Sequence, residues 1–147
     1  MSIESAVIAV GRDEGERADR FAEIGVELAD AGAALTLVHV FETQAEVDEA
    51  RDQIGLSDGS VADVVRRLDS VRRVKKALEE EGVTVDVDGR VGDPGDAVSA
   101  VVDEVGANRL VVGGRDRSPA GKAVFGSTAQ DLLLSAPCPV TFVRRED

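Results

Sequence analysis

Short apolar runs and longer stretches with apolar residues every third or fourth position alternate along the chain, the signature of strands interleaved with amphipathic helices. Residues 5–10 (SAVIAV) read as a short buried strand, followed by a polar turn and a helix over about residues 14–31. Phe21, Ile24, Gly25 and Leu28 mark that helix's inner face, and Gly32 ends it. Residues 33–41 (AALTLVHVF) form the second strand, with Leu35, Leu37, His39 and Phe41 on one side and Thr36, Val38 and Val40 on the other. Residues 42–59 are an acidic crossover, partly helical through AEVDEARDQI. The spacing then predicts one long helix over residues 60–81, with Val61, Val64, Leu68, Val71 and Leu78 on one stripe and Gly82 as its stop. Residues 83–91 alternate Val with polar side chains as a third strand.

Asp93, Pro94 and Asp96 supply an N-cap, a proline at the first helical position and an acid at the third. They start a helix through Val98, Val101, Val102 and Val105, which Gly106 closes. Residues 110–113 form a fourth strand, residues 127–135 a helix and residues 140–143 a fifth strand. Five strands alternating with four connecting helices imply an α/β fold: a mostly parallel sheet covered on both faces by right-handed crossovers. The whole chain, residues 1–147, is expected to form one domain.

Such sheets bind ligands beyond the strand C-termini, where the strand order reverses. In the order 3-2-1-4-5 that crevice lies between the first and fourth strands, whose exits are Val10 and Gly11, and Val112 and Gly113. From the second exit runs a stretch suited to phosphate: Gly113 and Gly114, a basic loop with Arg115, Arg117 and Lys122, then Gly126 and Ser127 opening a helix. Glycines let main-chain amides approach an anion, and a helix start adds unpaired N–H groups at the positive end of its dipole. Ser127, Thr128, Ala129 and Gln130 also read as a capping box, which accounts for Ser127 without a ligand.

Charge narrows the partners. With 29 acidic against 17 basic residues and a net charge of −12, long-range repulsion opposes nucleic acid and membrane surfaces. The basic run from Arg66 to Lys76 sits on a helix, where Lys75 and Lys76 are spaced to pair with Glu79 and Glu80. The chain has four Phe and no Trp or Tyr, so it lacks stacking platforms for bases of a single strand or for a flavin. No apolar run spans a bilayer and AVIAV has no signal-peptide surroundings, so a soluble cytoplasmic protein is expected. The abundance of Asp and scarcity of Lys, three in all, fit a high-salt cytoplasm.

Other chemistries fail on their own requirements. Cys138 has no internal disulfide partner and reads as structural, between Pro137 and Pro139. His39 is the only histidine and lies in an apolar strand, so catalytic triads and zinc sites lack their partners. The AGKA stretch at residues 120–123 is no Walker A loop, because Asp116 and Ala123 stand where that motif needs Gly and Ser or Thr.

Across its length the chain resembles the universal stress protein family, as an acidic, haloarchaeal-type member. The family's signature is Gly, two residues, Gly, nine residues, Gly, then Ser or Thr; here Gly113, Asp116, Gly126 and Ser127 take those places. LVHV (residues 37–40) and SAPCPVTFV (residues 135–143) are also similar to its second strand and its ending. The resemblance implies a flavodoxin-like, three-layer sandwich with strand order 3-2-1-4-5 that binds ATP or a related adenine nucleotide. By position, Ala9, Val10 and Val40 then line the base, while Val112, Gly113, Gly114, Arg115, Gly126, Ser127 and Thr128 follow ribose and phosphates. Gly11 replaces the acid usual after the first strand, with Asp13 as a nearby substitute, and Asp116 replaces the second signature glycine, where magnesium bridging to phosphate would give its carboxylate a role. The resemblance further implies a homodimer through Val140, Thr141, Phe142 and Val143. It implies a stress sensor or switch without efficient catalysis, at most slow ATP hydrolysis or autophosphorylation on Ser118, Ser127 or Thr128. A dimeric scaffold that binds no ATP is the alternative that Gly11 and Asp116 favour.

Overall fold

Alternation along each strand divides the core between two faces of one sheet. The structure, a computed structural model, describes residues 3–11, 15–113 and 127–143, with the side chains of Glu16 and Ser127 outside that description. Its strands are β1 (Ser5–Ala9), β2 (Ala34–Phe41), β3 (Val85–Val91), β4 (Arg109–Gly113) and β5 (Val140–Val143). All four pairings are parallel, as the alternation of strands and helices predicts, and the order is β3-β2-β1-β4-β5, as the family resemblance implies. The helices are α1 (Ala18–Asp30), α2 (Gln44–Ile54), α3 (Val61–Arg66), α4 (Asp69–Glu80), α5 (Pro94–Val105) and α6 (Ser127–Ser135).

Leu35, Leu37 and Phe41 of β2 pack with Phe21 of α1, Val64 of α3 and Leu78 of α4. Val7, Val38, Leu110 and Val112 face the opposite way, onto Val98 and Val102 of α5 and Leu132 of α6. Parallel strands buried on both faces need this continuous apolar composition. Each fully buried Leu or Phe here is worth roughly 1.5–3 kcal/mol relative to exposure.

Residues 60–81 form two helices rather than the single one predicted. Leu68 adopts extended backbone (φ −66°, ψ 137°) and serves as the N-cap of α4. An unbroken helix of that span would run about 33 Å, longer than the roughly 17–26 Å of five to eight strand residues. The break lets α3 pack on β3 and α4 on α1, while Leu68 stays buried. The first predicted helix is likewise shorter, a 3-10 turn at Gly15–Arg17 preceding α1. With α2 in the acidic crossover, the described residues hold six α-helices rather than four connecting ones.

The ion pairs of the basic run also differ from expectation: they run backward, Arg66 to Asp63 at 2.8 Å and Arg73 to Asp69 at 3.1 Å. A reciprocal cap between Ser60 and Asp63 opens α3, and hydrogen bonds from Ser60 hold the Asp63 carboxyl below the usual carboxylate range. The Asp93 side chain accepts the Asp96 N–H at 3.0 Å, Pro94 stands at the helix start and Gly106 closes α5 in the left-handed conformation (φ 65°). Asp93→Ala is therefore expected to destabilise the protein by about 1 kcal/mol, measured as a lower urea midpoint at unchanged slope. An unchanged midpoint would show that the cap contributes nothing.

Candidate functional site

β1 and β4 are the neighbours at which the chain's direction across the sheet reverses: β1 leads outward to β2 on one side, and β4, entered from β3, leads outward to β5 on the other. In register, Ala9 lies beside both Val38 and Val112, so β1 and β4 end nearly level while β2 runs on three residues to Phe41. One residue beyond Ala9, the Val10 N–H still donates to the Val38 carbonyl at 2.9 Å. The Val10 carbonyl accepts from His39 Nδ1 at 2.7 Å. His39 is buried at 6% exposure and meets the Phe41 ring edge-on, with centroids 4.7 Å apart.

Above these exits lies a cavity of about 200 Å³. The structure places Ala9, Val10, Gly11 and Val40 on its border from β1 and β2, and Val112 and Gly113 from β4. Thr128 joins them from the first turn of α6. Asp13, Gly114, Arg115, Asp116 and Gly126 lie outside the described residues. Ser127 is the first residue of α6, and its side chain, on which the capping-box reading depends, lies outside them too.

Six lining residues were not anticipated: Val38, His39, Pro94, Val98, Ala129 and Leu132. Pro94 and Val98 belong to the first turns of α5. Their position was legible in principle, since right-handed crossovers bring the helix starts to the edge where the strands end. His39, the histidine of an apolar strand by sequence, is buried within β2, two residues before its end.

The walls are apolar, through Val98, Val112 and Leu132, all buried. Polar capacity comes from main chain at the strand exits and from Thr128. The two helix starts differ in charge. Asp93 caps α5, and the Asp131 carboxylate rests where a Cβ on Gly95 would be, so two acids already occupy that helix start. No acid lies in the first turn of α6, leaving its positive dipole end the better of the two for an anion.

A larger concavity of about 380 Å³, where the start of α1 meets α4, sets Arg73 and Lys76 against Asp19 and Glu80 and lies away from the strand exits. Two more, larger again, are acidic. One, about 550 Å³ between α1 and α4, is lined by Asp19, Glu23, Glu27, Glu80 and Glu81. The other, about 460 Å³, lies at the opposite end of β2 and β3 and includes Asp30, Glu81 and Asp86. Carboxylates repel an anionic ligand from both. Among the described residues no group of three or more His, Cys, Asp or Glu is placed to hold a metal, and no helix is long and apolar enough to cross a membrane. Burial pushes the Cys138 thiol above its ordinary pKa, which lowers its thiolate fraction and its reactivity.

Known proteins share this architecture. A universal stress protein from Archaeoglobus fulgidus superposes with a TM-score of 0.70 at 29% identity, covering 95% of this chain and 97% of its own. The A. fulgidus universal stress protein solved in complex with dAMP superposes with a TM-score of 0.60 at 24% identity, over 97% of this chain and 98% of that one. A universal stress protein of Mycolicibacterium smegmatis is 38% identical over 79 residues, 53% of this chain and 61% of the relative's length. The sequence profile of the universal stress protein family matches residues 5–144. Two-faced parallel sheet, strand order and sequence match agree, and the chain belongs to the universal stress protein family.

Proposed function

We propose that this chain binds an adenine nucleotide, ATP in particular, in the cavity between the β1 and β4 exits. The single observation that carries this reading is the apolar cavity at the point where strand order reverses, bordered by main chain and by the first turn of α6. Its volume of about 200 Å³ is below the roughly 300–1,000 Å³ that encloses a drug-sized ligand. It suits a base, with ribose and phosphates continuing along residues 113–128. The carboxylates at the α5 start direct the phosphates toward α6. The dAMP complex of the A. fulgidus protein supports the choice of base.

ATP would bring a triphosphate whose charge Arg115, Arg117 and Lys122 neutralise, with magnesium between it and Asp116. Apolar walls, with no evident general base among the described residues, favour a stress sensor or switch over an enzyme, at most with slow hydrolysis or autophosphorylation on Ser118, Ser127 or Thr128; a cytoplasmic location belongs to the same reading. The acidic composition fits operation at high salt, where the net charge of −12 is screened.

Calorimetric titration tests this reading directly. AMP and ATP are both expected to bind, and magnesium is expected to strengthen ATP binding about tenfold over EDTA without affecting AMP. Equal ATP affinities would remove the cation and the Asp116 role. No heat from either nucleotide, and none released on denaturing the purified protein, would favour the dimeric scaffold, the reading that Gly11's missing side chain supports.

We also propose a homodimer through Val140, Thr141, Phe142 and Val143. Among the described residues β5 pairs only with β4, leaving its other edge as the end of the sheet, and unprotected edges invite pairing. Leu134 on the preceding helix is 82% exposed, which supports a covered surface there. Light scattering on the eluted protein is expected to give the mass of two chains; one chain's mass would overturn the dimer.

A further inference from the structure

We propose that His39 is a positioning residue for this site: from the far face of the sheet it fixes the plane of the Val10–Gly11 peptide on the cavity border. The ligand effect rests on the nucleotide reading above; the peptide geometry does not.

β2 alternates, and Leu37 and Phe41 belong to the core on the α1 and α4 side while Val38 and Val40 belong to the other. His39 shares the parity of Leu37 and Phe41, and its ring lies against Phe41. The Val10 side chain packs in the same cluster. The imidazole thus reaches Val10 from the face opposite α5 and α6, whose first turns cover the cavity.

The paired register of β1 ends at Ala9. Past it, one main-chain bond holds Val10, from its N–H to Val38, and the 2.7 Å contact with His39 Nδ1 holds its carbonyl. A carbonyl oxygen only accepts, so Nδ1 carries the proton. All described peptide bonds are trans, and a planar trans peptide points its N–H opposite to its C=O. The direction His39 imposes on the Val10 carbonyl therefore sets the direction of the Gly11 N–H. Gly11 borders the cavity and has no side chain, so whatever it contacts there, protein or ligand, it contacts through main chain. Turning this peptide changes what the site offers there.

The chain has one histidine, so its imidazole nitrogen resonances belong to His39 without assignment. Nitrogen NMR of the wild-type protein is expected to show Nδ1 protonated and coupled to the Val10 carbonyl. Two variants separate donor from bulk: His39→Asn places an amide nitrogen near the position of Nδ1, whereas His39→Gln reaches toward that of Nε2. His39→Gln is expected to move the Gly11 amide resonance and weaken AMP binding about tenfold, as expected for one lost buried hydrogen bond. His39→Asn is expected to keep the Gly11 resonance near its wild-type position and restore most of the affinity. An unprotonated Nδ1, or Asn and Gln variants with the same Gly11 resonance and the same AMP affinity, would overturn the proposal. If the wild-type protein binds no nucleotide, the nucleotide reading fails, and the Gly11 resonance of the two ligand-free variants still decides the role of His39. If neither variant folds, the wild-type imidazole spectrum decides it.

Discussion

Replacing Ala9 with phenylalanine is expected to lower AMP affinity at least 100-fold, a loss of about 2.7 kcal/mol, with little change in melting temperature. Ala9 is the last residue of β1, half-buried, and packs with the α5 and α6 side of the core. It borders the cavity at the level of Val38 and Val112. A benzyl group there would occupy much of the roughly 200 Å³ void, the space assigned to the base. The site is open on one side, so the ring can fill it without displacing packed atoms, unlike an insertion into a closed core. Calorimetry and thermal unfolding of the same preparation check both halves. Unchanged affinity in a folded variant would place the ligand elsewhere.

Gly89→Ala is expected to destabilise the fold by about 3 kcal/mol, the upper end for inserting a methyl group into packed structure. Gly89 lies in the middle of β3. A Cβ there would come within 2.7 Å of Val65 Cγ2, 2.8 Å of the Val61 carbonyl oxygen and 2.9 Å of its carbon. Two of these are main-chain atoms of α3, so no rotamer change relieves the clash; the helix must lift from the strand. A fall in melting temperature of roughly 6–12 °C should accompany the loss. By contrast, Gly25→Ala on α1 meets the flexible end of the Leu78 side chain at 2.6 Å, which can shift, and the gain in helix propensity offsets part of its cost. A Gly89→Ala protein as stable as wild type would mean that α3 does not rest on β3.

These two glycines show what the sequence makes legible. A parallel sheet covered on both faces followed from the regular alternation of strands and helices, whereas the strand order, and with it the switch point, came from the family resemblance. Capping of α5 at Asp93 was equally readable, since its side-chain chemistry acts within three residues. Gly89 is inconspicuous inside a strand of alternating Val, although an interior strand glycine often marks a close backbone approach. The break at Leu68 was hidden because Val64, Leu68 and Val71 keep helical spacing across it; its cause is the length of the sheet, not the local pattern.

The same limit governs the site. Val10, Gly11, Val112 and Gly113 were legible as strand exits, while the reading of Gly113 to Ser127 as a phosphate motif rests on the sequence. His39's contact was not, because it depends on the pairing of Ala9 with Val38, which sets Val10 beside His39. Pro94 and Val98 required the step from crossover topology to helix position. The 114–126 segment carries the most telling part of the motif and lies outside the described residues, so Arg115 and Asp116 enter through the sequence alone.

The location of the nucleotide is tested most directly by titrating AMP into isotope-labelled protein and following every main-chain amide. The account predicts saturable shifts centred on Ala9, Gly11, Val40, Gly113 and Thr128, with the acidic groove between α1 and α4 unmoved. Shifts confined to that groove, or no saturable shift at the β1 and β4 exits, would contradict it.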